Sequence, residues 1–86
     1  MTVTSVNPAR PDDVVATKPA GTAAEVDRAV AAAAAAQRDW ARVPVPARAE
    51  INAAAGAVLA ERKAELSHLV AREAGKILAE AGGDVQ

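Results

Sequence analysis

Residues 22–41 read Thr22-Ala23-Ala24-Glu25-Val26-Asp27-Arg28-Ala29-Val30, then six alanines from Ala31 to Ala36, then Gln37-Arg38-Asp39-Trp40-Ala41. The opening four residues have the spacing of a capping box. In it the threonine hydroxyl accepts from the backbone N–H of the glutamate, and the glutamate carboxylate reaches back to the threonine N–H. A helix therefore starts at residue 23. Val26, Ala29, Val30, Ala33, Gln37 and Trp40 then recur at three- and four-residue spacing, which puts Val26, Val30 and Trp40 on one stripe of a helix that runs to about residue 41.

C-terminal to this helix, Val43-Pro44-Val45-Pro46 interrupts the pattern. A proline at the first position of a helix sacrifices no hydrogen bond, so a second helix is expected over about 46–62. Ile51, Ala54, Ala55, Val58 and Leu59 mark its apolar face, with Arg48, Glu50, Glu61 and Arg62 toward solvent. Leu66, Leu69 and Val70 give the stripe of a third helix over about 63–75, with Gly75 placed as a left-handed cap and Lys76 near the negative helix end. A fourth helical pattern covers about 77–86, weakened by Gly82-Gly83 and reaching the last residue without a cap signal.

On the N-terminal side lie two β-prone runs, expected as strands over about 2–6 and 14–18. Pro8 and Pro11 are expected to keep the connection Asn7–Asp13 out of regular structure. The fold class is thus a mostly α unit of three to four helices, preceded by a short two-strand element that would not persist in water alone.

The 86 residues are 51% hydrophobic, but alanine supplies much of that figure and buries little area per residue. Trp40 is the sole aromatic residue, so the large anchors of a self-sufficient core are missing and further partner surface is implied. A net charge of −1, with both signs mixed along the chain, offers no footprint for nucleic acid or an anionic membrane. Without cysteine there is no disulfide, thiolate metal site or thiol nucleophile within these residues. The first residues lack a signal-peptide pattern, which together with the absence of a long apolar run gives a soluble, cytoplasmic expectation.

Several residues invite a chemical reading and have a plainer one. Ser67 and His68 are adjacent on a helix and point apart, so they are not parts of a triad; His68 reads as a surface residue. Glu73 and Lys76 are three apart and suit a pair across a helix end. Trp40 reads as a packing residue of a core or interface, and Arg48, Arg62 and Arg72 as solvated helix surface.

Taken in order, Val6-Asn7-Pro8-Ala9, Ala23-Ala24-Glu25-Val26-Asp27-Arg28-Ala29-Val30, Trp40, Pro46-Ala47-Arg48-Ala49, Leu66 and Arg72-Glu73-Ala74-Gly75-Lys76-Ile77-Leu78-Ala79-Glu80-Ala81 resemble the NAD(P)-dependent aldehyde dehydrogenase superfamily, over almost the whole chain. Ile77 departs from the family, which often has proline there, and the alanine run is richer than usual.

The resemblance implies an N-terminal piece of the α/β cofactor-binding domain, truncated at its C-terminus and structural in role. In the intact enzyme a thiolate attacks the aldehyde, hydride passes to NAD or NADP, and activated water releases the acid. The catalytic and cofactor residues of the family lie beyond these positions, so none is assigned here, and the chain alone is expected to bind no cofactor. Its partners would be the remainder of its own polypeptide, an aldehyde substrate and, when complete, further copies in a homo-oligomer.

By matched position the resemblance also implies part of a monovalent-cation site at the Ser5 and Val6 carbonyls and Asp84. A free-standing helical interaction module without enzymatic activity is the competing reading.

Overall fold

A computed structural model describes all residues, 1–86. The order is β1 (Thr2–Asn7), β2 (Arg10–Pro19), α1 (Ala23–Trp40), α2 (Val45–Glu61), α3 (Lys63–Ala74) and α4 (Leu78–Asp84), four helices and one antiparallel two-stranded sheet.

The hairpin turns tightly at Pro8-Ala9, where the Asn7 side-chain oxygen accepts from the Ala9 N–H. β2 differs from the sequence-based expectation: it begins at Arg10 and carries Pro11 within it, whereas residues 7–13 were expected to be irregular. The register explains how. Thr2 to Ser5 pair regularly with Pro19 to Ala16, but Val6 then faces Val14 and Asn7 faces Arg10, so extra residues on β2 bulge out of the ladder. Pro11, which has no N–H to give, sits in that bulged portion.

At the start of α1 the expected capping box is present. The Thr22 N–H donates to Glu25 Oε2 at 2.7 Å and the Glu25 N–H donates to Thr22 Oγ1 at 3.2 Å. α2 has Pro46 in its first turn and no side-chain cap. α3 ends on Gly75, whose φ of 68° is the left-handed conformation that favours glycine. α4 is shorter than the expected 77–86, because Ile77 is extended (φ −70°, ψ 147°) and serves as its N-cap.

Of the residues expected toward solvent on α2 and at its end, Glu50, Glu61 and Arg62 are exposed and Arg48 is half-buried. Between Glu50 and Glu61 the helix has no charged residue, and its alanines extend the apolar surface round most of it, with Asn52 the one polar side chain. Such a helix is normally buried on every side. Here Ile51, Val58 and Leu59 are all exposed.

Only Ala81 and Ser67 are buried in the whole molecule. The overall shape is a slab of 46 × 34 × 14 Å, little thicker than one helix with its side chains. Its radius of gyration, 17.3 Å, compares with about 12 Å for a compact domain of this length. The exposed surface of 6640 Å² exceeds by roughly 1,900 Å² what a folded monomer of this mass shows. Trp40, expected to pack in a core or interface, keeps 37% of its surface exposed.

With so little tertiary support, α1 depends on its own cap. Thr22→Ala should weaken it by about 1 kcal/mol, seen as lost helical ellipticity and earlier melting, while Thr22→Ser should leave both nearly unchanged.

Candidate functional site

The polar groups that converge do so at one corner, where the last turn of α3 meets the hairpin. Gly75 makes the approach possible. A Cβ added there would stand 3.3 Å from Pro8 Cβ and 3.4 Å from the Ala9 nitrogen, so the bare backbone lets the turn at Pro8 lie against the helix end.

Beside that contact, Arg72 donates from Nε and Nη2 to the two carboxylate oxygens of Asp13, at 3.1 and 2.7 Å. The same Nη2 reaches the Val14 carbonyl at 3.3 Å, and Asn7 Nδ2 donates to Asp13 Oδ2 at 3.3 Å. Arg72 was expected to be plain solvated surface; instead its planar fork matches a carboxylate 59 residues earlier. Arg62, between α2 and α3, donates its own fork to Glu65, and Arg48 is half-buried.

The expected pairing of Glu73 with Lys76 is replaced by two others. Glu73 Oε1 accepts from the Ser5 hydroxyl at 2.6 Å, and Lys76 Nζ donates to Asp84 Oδ2. Lys76 lies beyond the left-handed turn at Gly75, so the helical i, i+3 geometry no longer applies between these two residues.

Of the three residues singled out for a cation, Ser5 and Val6 are consecutive on β1, Ser5 half-buried and Val6 exposed, while Asp84 ends α4 in its ion pair with Lys76. The carboxylate that meets Ser5 is that of Glu73, which sequence reasoning had assigned to a local pair. No cluster of three His, Cys, Asp or Glu side chains with metal-holding geometry is present.

Two open clefts flank α4. One, of about 440 Å³, is lined by Lys63, Ser67, His68 and Leu78; the other, of about 270 Å³, by Leu59, Leu66, Leu69 and Val70 together with the end of the chain. Ser67 gives its hydroxyl to the Lys63 carbonyl at 2.6 Å and His68 is exposed, so the first cleft pairs no acid with a base.

Charge acts on the corner in one direction. The Arg72 hydrogen bond, then that of Asn7, holds the Asp13 carboxyl below its ordinary value of 3.8. Arg72 is raised by Asp13, and Lys76 by Asp84. A carboxyl that ionises more readily when docked favours docking at every pH above its undocked value. That contribution fades as pH falls through the lower docked value. The hairpin amides should therefore lose hydrogen-exchange protection on acidification below about pH 4. Asp13→Asn should show the weaker protection already at neutral pH and flatten the acid dependence.

The profile of the aldehyde dehydrogenase family matches residues 1–86, the whole chain. The chain is 42% identical over 80 residues to an α-ketoglutarate semialdehyde dehydrogenase of Haloferax volcanii, covering 93% of this chain and 17% of that protein. It is 45% identical over 80 residues to malonate-semialdehyde dehydrogenase 2 of Geobacillus thermodenitrificans, with 93% and 16% covered. With 3,6-anhydro-alpha-L-galactose dehydrogenase of Streptomyces coelicolor it shares 40% over 85 residues, with 99% and 17% covered. No solved structure is significantly similar to it. The chain spans about one sixth of the length of these relatives. With the family profile matched from end to end and the Gly75–Lys76 corner docked on an Asn7–Pro8 hairpin turn, the chain belongs to the aldehyde dehydrogenase family.

Proposed function

We propose that this chain is an N-terminal segment of an enzyme that oxidises an aldehyde to a carboxylic acid with NAD or NADP, and that it serves as a structural outer layer of the α/β cofactor-binding domain. The observation that carries the structural role is α2. Its charge-free middle, in which Asn52 is the one polar side chain, stands exposed in a slab 14 Å thick, which is the surface of an element meant to be enclosed. The remainder of the polypeptide is its partner. The complete protein works in the cytoplasm as a homo-oligomer, and no helix here is long and apolar enough to cross a membrane.

Catalytic groups belong to the rest of that protein. The cysteine-free sequence has no thiol to attack a carbonyl carbon. What these residues contribute toward a ligand is confined to the hairpin corner. In the intact enzyme the Ser5 and Val6 carbonyls supply oxygen ligands to a monovalent cation, as hard cations prefer. Asp84, which pairs with Lys76, is the acidic ligand by matched position, and Glu73 accepts from the neighbouring Ser5 hydroxyl.

The decisive experiment is the intact mass and peptide map of the native polypeptide in cells of the source organism. A chain several times longer, with cysteine-containing peptides downstream, supports the enzyme reading. A stable product ending at Gln86 overturns it in favour of a helical interaction module, a reading the uncovered stripe of α1 would then support. Purified 86-residue protein should form no reduced nicotinamide from NAD or NADP with any aldehyde, and measurable turnover would refute the structural role.

A further inference from the structure

α2 carries the one buried side-chain donor in the molecule that has no acceptor, the Nε–H of Arg48. The residue is half-buried and takes part in none of the four ion pairs. A helix ordinarily answers an arginine with a carboxylate three or four positions away, as Glu65 answers Arg62. Around Arg48 those positions hold Pro44, Val45, Ile51 and Asn52. Glu50, the nearest acid in the sequence, lies about 200° round the helix.

Arg72 has the same gap, with His68, Leu69, Gly75 and Lys76 at its helical neighbour positions. Its fork is filled from far away in the chain, by Asp13, and that carboxylate takes a further hydrogen bond from the side-chain amide of Asn7. α2 repeats this donor set. Asn52, four residues after Arg48, stands beside it on one face and is the one polar side chain in the charge-free middle of the helix.

We infer that Arg48 and Asn52 together receive a carboxylate side chain from the part of the polypeptide that follows residue 86. The pairing rests on the proposed reading of this chain as one segment of a longer protein. Enclosing α2 takes water from a guanidinium whose Nε is already dry, and a charge enclosed without a partner is far costlier than one in solvent. A backbone carbonyl would satisfy an N–H and leave the charge unbalanced, whereas a carboxylate matches both the charge and the planar fork. The acids of the segment itself are largely engaged: Asp13, Asp39, Glu65 and Asp84 in ion pairs, Glu25 in the cap of α1 and Glu73 on Ser5.

The test uses the native polypeptide. In an Arg48→Lys variant, a water-soluble carbodiimide, which joins an amine to a touching carboxylate as an amide, should link residue 48 to an Asp or Glu beyond residue 86, in a product with the mass of one chain. A link to a carboxylate within residues 1–86, a product with the mass of two chains, or no link at residue 48 would each overturn the inference. Arg48→Met keeps the apolar stem and removes the charge, so it should lower the melting midpoint by several degrees; an unchanged midpoint would equally overturn it. Asn52→Ala should lower it less, and the double variant should lose less than the two single losses combined, because both side chains share one acceptor. Fully additive losses would refute the shared acceptor. A native polypeptide ending at Gln86 refutes the longer-protein reading itself, whereas a longer one whose residue 48 links inside the first 86 residues refutes only the pairing.

Discussion

The guanidinium fork of Arg72 on Asp13 is what makes one object out of a hairpin and a set of helices. A two-stranded hairpin is marginal in water, and this one has no apolar face sealed against a core. Its attachment is instead a row of directional contacts along the last turn of α3: Arg72 to Asp13, Glu73 to Ser5, and Gly75 against Pro8. Exposed charge pairs of this kind individually contribute little to stability. Their value is geometric, because a bidentate pair and a close backbone approach admit one orientation where an apolar patch would admit several.

The rest of the molecule shows what such contacts leave undone. The helices are regular and well terminated at α1 and α3, yet only an alanine and a serine are shielded from water. Local signals give each helix its length and direction; burial in a single layer cannot give it a fixed neighbour. α3 and α4 come closest to packing, with Ala81 sealed between them and Gly82 near the Ser67 hydroxyl. α1 has no comparable contact, and α2 touches α3 only lightly.

This division also separates what the sequence discloses from what it withholds. The Thr22–Glu25 box and the left-handed Gly75 are legible because the groups that meet are three residues apart or less, and chain geometry alone brings them together. Arg72 with Asp13 and Ser5 with Glu73 are separated by 59 and 68 residues, and nothing local distinguishes those carboxylates from their neighbours. Lys76 meets Asp84 eight residues on, across the turn that precedes α4, a separation outside the three- and four-residue spacing of a helix face. Pro11 looked like a strand breaker because the bulge that accommodates it depends on how β1 pairs, which no residue of β2 announces. α2 looked amphipathic when judged by its largest side chains; counting its alanines makes the opposite side apolar too.

The separations of 59 and 68 residues in the hairpin corner also set an order of events during synthesis. Chains emerge from the ribosome N-terminus first, at about 5–20 residues per second. The hairpin is thus out seconds before Arg72 and Glu73 exist to receive it, while helix α1 can form as soon as its own residues are free. Throughout that interval the valines of β1 and β2 have only each other, a window in which a nascent-chain chaperone has its best access.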